Sequence, residues 1–471
     1  MDSSVKIAVG IGPPFGMRMT LLYSSPRDEN DHSQSASALR RVPAACLTPR
    51  TVGAGNTMSS QSRTTPVPPG LSTRRLRVLT FILAAASGVS IANIFYSQPL
   101  LDLIAQTFAV PDSTASIVVT VTQLGYAAGI LVLMPLGDLI ENRILASRVL
   151  IVTAIASAVA AFATNLPLFL VFSAILGFTS VVAQIVIPVA AHLAPAGQGG
   201  RYVGQVMSGL LLGIMLARSV SSFLADLWGW RSVYVLSAVL MVIMALVLAA
   251  TLPRRKPDHA GSYGSLVVSI WRLVREEPAL RRRAVLQALM FGTFSAFWTS
   301  VTYELIREHH LSQTQIAIFA LIGAAGAVAA PIAGRIGDRG LGRPATGVVF
   351  VLAAVAMAVA GLGVHNLVVL GLAGVLLDLA VQGSLVLSQQ EIYALRPEAR
   401  SRLNTVFIGS VFVGGAIGSA LSGVLYEHAG WSGVAVLGIV FALIGIGIWS
   451  ASQLLHRATR LNSEKVASSI H

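Results

Sequence analysis

Residues 203–252 read VGQVMSGLLLGIMLARSVSSFLADLWGWRSVYVLSAVLMVIMALVLAATL, two apolar runs separated by a short turn sequence from Trp228 to Arg231. Each run matches the roughly 20 helical residues that cross the hydrocarbon core of a bilayer. Both runs are continuously apolar, whereas the strands of a membrane barrel alternate and are only about 10 residues long. The stretch therefore predicts two consecutive transmembrane helices.

The rest of the chain repeats this pattern. Hydrophobic residues make up 54% of the sequence and charged residues only 11%, against roughly 25% charged residues in soluble domains. The sequence predicts an all-α membrane protein with twelve transmembrane helices. The predicted segments are 78–101, 113–137, 145–164, 167–193, 203–224, 231–252, 284–306, 314–333, 346–364, 367–391, 403–425 and 433–452.

An internal repeat divides these helices into two sets of six. Four landmark residues or pairs recur after 200 or 201 residues, a constancy that chance would not preserve. Parallel halves of this kind place a substrate site between them near the bilayer midplane. The repeat predicts two pseudo-symmetric six-helix bundles and disfavours a single-helix anchor or a seven-helix receptor. The recurring pairs are Arg201 with Arg402, Gly213 with Gly414, Gly229-Trp230 with Gly430-Trp431, and Asp138 with Asp338.

The domain boundaries follow from composition. We expect residues 1–73 to be a disordered extension, because they are rich in Ser, Thr, Pro and Arg without periodicity. Met58 is a candidate true start, and Cys46, the lone cysteine, excludes a disulfide framework. The remaining predicted parts are an N-terminal bundle at 74–252, a cytoplasmic linker at 253–283, a C-terminal bundle at 284–455 and a cytoplasmic tail at 456–471.

The basic residues sort by side of the membrane. Most lie in alternate loops, with the largest group in the central linker, whereas Arg231 and Arg307 are those on the other face. This asymmetry predicts that both termini are cytoplasmic, in an inner (plasma) membrane, and argues against nucleic-acid binding despite the net charge of +13. Around Trp271 the linker is compatible with an amphipathic surface helix or with a solvated loop.

The loop after the second segment, MPLGDLIENR from Met134 to Arg143, has a counterpart at the same place in the second half. With the order of six helices, basic loop and six helices over residues 75–455, this paired loop resembles the major facilitator superfamily. Met134 and Leu139 depart from the family's Gly and basic residue. The resemblance implies a functional monomer and a cytoplasmic gate, for which topological anchoring is the alternative. The predicted gate residues are Asp138, Arg143, Gly334, Asp338, Arg339 and Arg343.

Small residues recur every four positions on the fifth and eleventh segments. The fifth is similar to the family's antiporter motif, although Ala217 and Arg218 stand where the family has Gly-Pro. Such stripes let two helices approach closely. The predicted packing residues are Gly209, Gly213, Ala217, Gly414 and Gly418.

Two ionisable residues lie deep in predicted helices, where insertion of a charge costs about 2.5–3.5 kcal/mol. These residues are Arg218 and Asp378, and Gln382 and Gln389 lie on the same helical face as Asp378. We expect Asp378 to couple transport to protons with Arg218 as its partner. The alternatives are a permanent structural ion pair and direct binding of substrate, including an anionic one at Arg218.

The resemblance implies that the first, fourth and seventh helices line a substrate cavity. The polar and aromatic residues in their expected cavity positions suit a small organic ligand, although some would serve only as core hydrogen-bonding groups. The predicted cavity residues are Asn93, Tyr96, Gln98, Gln184, Trp298, Thr299, Thr302, Tyr303 and Gln382.

The sequence has no phosphate loop, zinc-ligand spacing or nucleophile elbow. We therefore expect a transporter rather than an enzyme, without a cofactor, with lipid, protons and a small molecule as its partners. The leading prediction is proton-coupled antiport that exports a small organic compound. Uptake by proton symport is the first alternative, and a non-transporting membrane sensor is the alternative from another class.

Overall fold

The computed structural model describes residues 73–137, 139–195, 197–254, 262–396 and 399–468. The N-terminal extension, with Cys46 and Met58, lies outside the described residues. The N-terminal half consists of α1 Thr73–Ala92, η1 Gln98–Leu100, α2 Leu101–Phe108, α3 Asp112–Gly137, α4 Asn142–Ala161, α5 Leu166–Thr179, α6 Val182–Leu193, α7 Gly199–Trp228 and α8 Arg231–Thr251. The linker helix α9 Tyr263–Glu276 precedes α10 Pro278–Arg307, α11 Gln313–Ala320, η2 Leu321–Ala325, α12 Gly326–Asp338, α13 Gly342–Leu362, α14 Leu367–Leu395 and α15 Arg400–Ser468.

Eleven helical stretches of the described chain are long and apolar enough to cross a membrane. The last of them, Arg400–Leu454, contains two crossings, because α15 is interrupted at Gly430 by a φ of 60° and a ψ of −156°. The protein thus has the predicted twelve-helix, two-bundle fold.

A glycine followed by a buried tryptophan forms the corner at the end of each half. Gly229 has a φ of 78° and Gly430 a φ of 60°, a region that residues with a Cβ enter only at a cost. Trp230 packs edge-on against Phe169 at 5.2 Å between ring centres. Its counterpart Trp431 packs edge-on against Phe297 at 5.6 Å. The repeated Gly-Trp pair of the sequence is therefore a repeated structural corner.

The small-residue stripes lie where helices approach closely. A Cβ on Gly213 would lie 2.2 Å from the carbonyl oxygen of Gly88 in α1. A Cβ on Gly414 would lie 2.1 Å from the carbonyl oxygen of Ala288 in α10. The two halves therefore use the same construction, because only a missing side chain allows the backbones to come so near. Gly209 and Gly418 make similar contacts, and Ala217 is buried.

Three of the predicted segments are interrupted rather than continuous. The first ends as a helix at Ala92 and resumes as η1, where Pro99 cannot donate a backbone hydrogen bond. The fourth is divided between α5 and α6, and the eighth contains η2 between α11 and α12. A short 3₁₀ stretch within a helix is often a functional hinge, and η2 lies beside the two deep charges.

The central linker contains a helix, α9, which begins after Ser262 as its N-cap. Trp271 on α9 is 57% exposed, and the guanidinium of Arg275 lies 5.1 Å from the centre of its ring. Of the two alternatives for this part of the linker, the structure has the helix; residues 255–261 lie outside the described residues.

Candidate functional site

A cavity of about 180 Å³ lies between the two halves. Its walls come from α1, α3, α6 and α7 on one side and from α10, η2, α14 and α15 on the other. Most of the wall is apolar, as in sites for small organic ligands. The lining residues are Ile91, Phe95, Tyr126, Gln184, Ile187, Met207, Leu210, Leu211, Ile214, Met215, Arg218, Gln287, Phe291, Phe294, Gly323, Asp378, Val381, Gln382, Leu385, Gln389, Tyr393, Asn404, Ile408, Val411 and Phe412.

Arg218 and Asp378 are the charged side chains among the described residues that line this cavity. Arg218 comes from α7 and is 3% exposed; Asp378 comes from α14 and is also 3% exposed. The two charges that the sequence singled out are thus brought from opposite halves to one cavity. Gln382 and Gln389 lie on the same wall as Asp378.

Aromatic rings surround the guanidinium of Arg218. Its central carbon lies 4.0 Å from the ring centre of Trp298, 5.3 Å from that of Phe294 and 5.7 Å from that of Phe95. Nη1 donates to Oε1 of Gln98 at 3.2 Å. Nε is buried without an acceptor. Removing an ion from water costs several kcal/mol, and a desolvated cation–π contact contributes about 2 kcal/mol, so the three rings offset a large part of this cost.

Asp378 is held by the same tryptophan. Nε1 of Trp298 donates to Oδ1 of Asp378 at 3.1 Å. Within the described chain, no carboxylate oxygen lies within the 4.0 Å ion-pair distance of the Arg218 guanidinium. Trp298 therefore connects the carboxylate and the cation, which are neighbours without being a direct ion pair.

The 3₁₀ stretch η2 leaves space for both charges. A Cβ on Gly323 would lie 2.8 Å from Oδ2 of Asp378 and 3.3 Å from Nη2 of Arg218. A Cβ on Gly326 would lie 3.2 Å from the Cβ of Asp378. The interruption of the helix at η2 and its glycines thus allow the two side chains to approach this segment.

The predicted cavity residues divide into two groups. Gln184 and Gln382 line the cavity, and Trp298 lies directly behind Arg218. The others lie outside the cavity lining: Asn93 accepts from Ser237 at 2.5 Å inside the N-terminal half, and Thr299 is hydrogen-bonded to Ser419 at 3.1 Å. The remaining predicted residues, Tyr96, Gln98, Thr302 and Tyr303, are also buried outside the lining.

The two halves are joined on one face, which we call the far face and define by Arg307 and Asp112. Nη1 of Arg307 lies 2.5 Å from Oδ2 of Asp112, and Nη2 lies 2.8 Å from Oδ1, so the contact is bidentate. Nη2 of Arg307 also lies 3.5 Å from Asp102. This cluster links the end of α10 to the N-terminal half and extends across the interface between the halves.

A second link on the far face joins α7 to α11. Oγ of Ser222 donates to Oε1 of Gln313 at 2.7 Å, and Oγ1 of Thr314 donates to Oδ2 of Asp226 at 2.6 Å.

The opposite face, which we call the linker face, carries α9 and the gate residues predicted from the sequence. The cavity extends towards this face through Gln389, Tyr393 and Asn404. Nδ2 of Asn404 donates to Gln184 across the halves at 3.4 Å, a long contact. In this conformation the halves are held together more closely at the far face.

The predicted gate residues of the second copy contact their own half. Nε2 of Gln390 donates to Asp338 at 3.2 Å and to the carbonyl oxygen of Gly334 at 3.1 Å. The carbonyl oxygen of Arg343 accepts from Nε1 of Trp449 at 2.8 Å. Asp138 of the first copy lies outside the described residues. A latch across the halves that involves Asp138, Arg143 and Arg339 therefore stays a prediction.

The family model of the Major Facilitator Superfamily matches residues 80–387 and again residues 283–468. The chain belongs to the major facilitator superfamily. It is 39% identical over 372 residues to the putative uncharacterized transporter YgaY of Escherichia coli (strain K12), covering 79% of this chain and 94% of that protein. It is 24% identical to a probable sugar efflux transporter of Mannheimia succiniciproducens, covering 78% of this chain and 91% of that protein.

Solved structures share the fold. The crystal structure of the nucleoside transporter NupG matches with a TM-score of 0.66 at 14% identity, covering 80% of this chain and 99% of NupG. The match to the family model and to YgaY makes the present protein a multi-pass membrane transporter.

Several residues at the cavity and the far face could not be identified from the sequence. Phe95, Phe294 and Gly323 carry no charge or motif that would mark them, and each acts through a contact between distant segments. Arg307 is conspicuous in sequence, but there it indicates only topology. Its partner Asp112 opens a helix, where an acidic residue is ordinary.

Proposed function

We propose that this protein is a proton-coupled secondary transporter of a small organic compound, in which Asp378 carries the proton. Export by antiport is the first candidate for the direction. The observation that carries this proposal is a buried carboxyl on the wall of a cavity between two halves, with one N–H donor from Trp298 and a nearby guanidinium. Ionisable groups in mid-membrane are costly and usually mark ion or substrate pathways.

The surroundings of Asp378 suit both of its protonation states. The indole N–H and the charge of Arg218 favour the ionised carboxylate, while the apolar wall favours the neutral acid. No direct ion pair holds the carboxyl in its ionised form. A change in water access between two conformations would therefore be enough to release or capture the proton. Rocking of the two halves about the cavity would supply that change.

The proposed orientation follows from the basic residues. With the linker face in the cytoplasm, as the distribution of Arg and Lys favours, the cavity extends towards the cytoplasm in this conformation. The Arg307 cluster then acts as an outer gate, which must break before the cavity can open outwards. The loops at Asp138 and Asp338 would hold the cytoplasmic face in the opposite state.

Export is supported by the probable sugar efflux transporter of Mannheimia succiniciproducens, which is similar over most of its length. A cavity that extends towards the cytoplasmic face is compatible with loading from that side and export. Antiport requires that the substrate and the proton exclude one another at the site, as a matter of thermodynamic linkage.

A second candidate, uptake by proton symport, is favoured by the lack of a direct ion pair between Arg218 and Asp378 in the described structure. A cation that the carboxylate does not neutralise can bind substrate while the carboxyl holds a proton. Symport requires that the substrate and the proton bind together.

The test is proton flux in proteoliposomes that contain the purified full chain and an internal pH dye. Dyes, antibiotics and sugars are added to one side, and the sign of the substrate-dependent pH change distinguishes antiport from symport. Glu276→Gln, a change at an exposed carboxyl of α9 that contacts Arg272 of the same helix and Arg396, serves as the control. Ligand binding without transport or proton movement would instead indicate a membrane sensor.

A further inference from the structure

We propose that the substrate is an amphipathic organic anion, whose carboxylate binds Arg218 and whose apolar body occupies the cavity. This inference rests on the proposed function, since it names the substrate class of the same site. It starts from the hydrogen-bonding state of the Arg218 guanidinium.

Arg218 has unused donors. Of its donor atoms, Nη1 has an acceptor, Oε1 of Gln98 at 3.2 Å, whereas Nε is buried without one. No hydrogen bond from Nη2 is present within the described chain. A guanidinium presents its donors in a planar fork that matches a carboxylate in a bidentate way. The unused edge of Arg218 therefore fits an oxyanion.

The surrounding groups hold the cation without neutralising it. Trp298, Phe294 and Phe95 supply ring faces and no charge. Asp378 is bound to the indole N–H rather than to the guanidinium. Gln98 orients Arg218 by accepting from Nη1, and its own Nε2 is a second buried donor without an acceptor. Because buried donors are nearly always satisfied, the unpartnered Nε of Arg218, a residue that lines the cavity, favours an acceptor-rich ligand.

The shape of the cavity defines the rest of the ligand. Along α7, Met207, Leu210, Leu211 and Ile214 line the wall between Arg218 and the linker face. Met215 lines it within a turn of Arg218. A ligand whose carboxylate lies at Arg218 would therefore extend an apolar body towards the linker face, and flexible methionines adapt to varied shapes.

An anionic substrate also affects the coupling. An ionised Asp378 would repel an anion in the same cavity, whereas a protonated Asp378 would not. The anion and the proton should then bind together, which is the condition for symport. The substrate class thus weighs towards the second candidate for the direction.

The test compares three probes of similar size and different charge by calorimetric titration of the purified full chain in nanodiscs without a proton gradient. The probes are 1-naphthoate, the neutral 1-naphthamide and the cationic 1-naphthylmethylamine. Wild-type protein should bind 1-naphthoate about ten- to a hundredfold more tightly than 1-naphthamide, as expected for hydrogen bonds to a charged group. Arg218→Gln should abolish this preference, Arg218→Lys should retain part of it, and Arg201→Gln on the same helix should leave it unchanged.

Several results would overturn the proposal. These are equal binding of 1-naphthoate and 1-naphthamide to wild-type protein, no binding of 1-naphthoate, or an unchanged preference in Arg218→Gln. The wild-type comparison needs no variant to fold. Because the titration uses no gradient, its failure is distinct from a failure of proton coupling, which the flux assay measures separately.

Discussion

The indole nitrogen of Trp298 donates to the carboxylate of Asp378 at 3.1 Å, while the face of the same ring lies 4.0 Å from the guanidinium of Arg218. One side chain of α10 therefore contacts a group from each half of the protein. A rigid aromatic group in this position keeps the two charges close together without a direct ion pair. Trp298 is consequently a positioning residue for both.

This relationship makes Trp298→Phe an informative variant. The ring beneath Arg218 would remain, but the ionised Asp378 would lose its N–H donor. A hydrogen bond to a charged group contributes about 1.5–3 kcal/mol, so the initial rate of proton-driven transport should fall about tenfold or more. Initial rates in proteoliposomes would check this.

The matched control for that variant is Trp271→Phe, the same change at an exposed position on α9. Its transport rate should equal that of the wild type. An unchanged rate in Trp298→Phe would remove the indole N–H from the mechanism.

We expect the contacts of Arg307 with Asp112 and Asp102 to hold the far face closed. Arg307→Gln removes the bidentate contact with Asp112 and should shift the protein towards states that are open at the far face. The matched control is Arg231→Gln, because Arg231 contacts Ala163 within its own half.

Distances between spin labels would measure that shift. Labels at Phe162→Cys and Leu362→Cys occupy exposed ends of α4 and α13 at the far face, in a chain without Cys46. Arg307→Gln should move the distance distribution to longer values, whereas Arg231→Gln should not. Identical distributions for both variants would show that the cluster does not hold the far face closed.

Close helix packing predicts the effect of a single methyl group. Gly213→Ala would place a Cβ 2.2 Å from a carbonyl oxygen of α1, and such overpacking costs about 1–3 kcal/mol. Its Tm in detergent should fall. Gly204→Ala on the same helix, which has open space around it, should keep the Tm of the wild type. Equal Tm values would contradict the inferred contact.

The twelve-helix fold could be predicted because apolar length is a local property of each segment and the repeat can be read directly from the spacing of its landmarks. Arg218 and Asp378 could be predicted as well, since a charge in an apolar helix is costly and therefore conspicuous. The sequence does not decide between a cavity role and a core role for Asn93, because a polar group in a membrane helix must find a hydrogen-bond partner wherever it faces. In the structure Asn93 finds one in Ser237 of its own half.

Contacts between distant segments could not be predicted from the sequence. The position of Trp298 between two charges depends on how α7, α10 and α14 meet. The 3₁₀ stretch η2 was equally hidden, because Leu321–Ala325 is as apolar as the helix around it.

The most direct test of the account measures two activities of Asp378→Asn in the same proteoliposomes. One is accumulation of substrate driven by a proton gradient, and the other is exchange of labelled for unlabelled substrate without a gradient. If Asp378 carries the proton, the variant should lose gradient-driven accumulation and retain exchange, with Glu276→Gln retaining both. Gradient-driven accumulation at the wild-type level in Asp378→Asn would contradict the central claim.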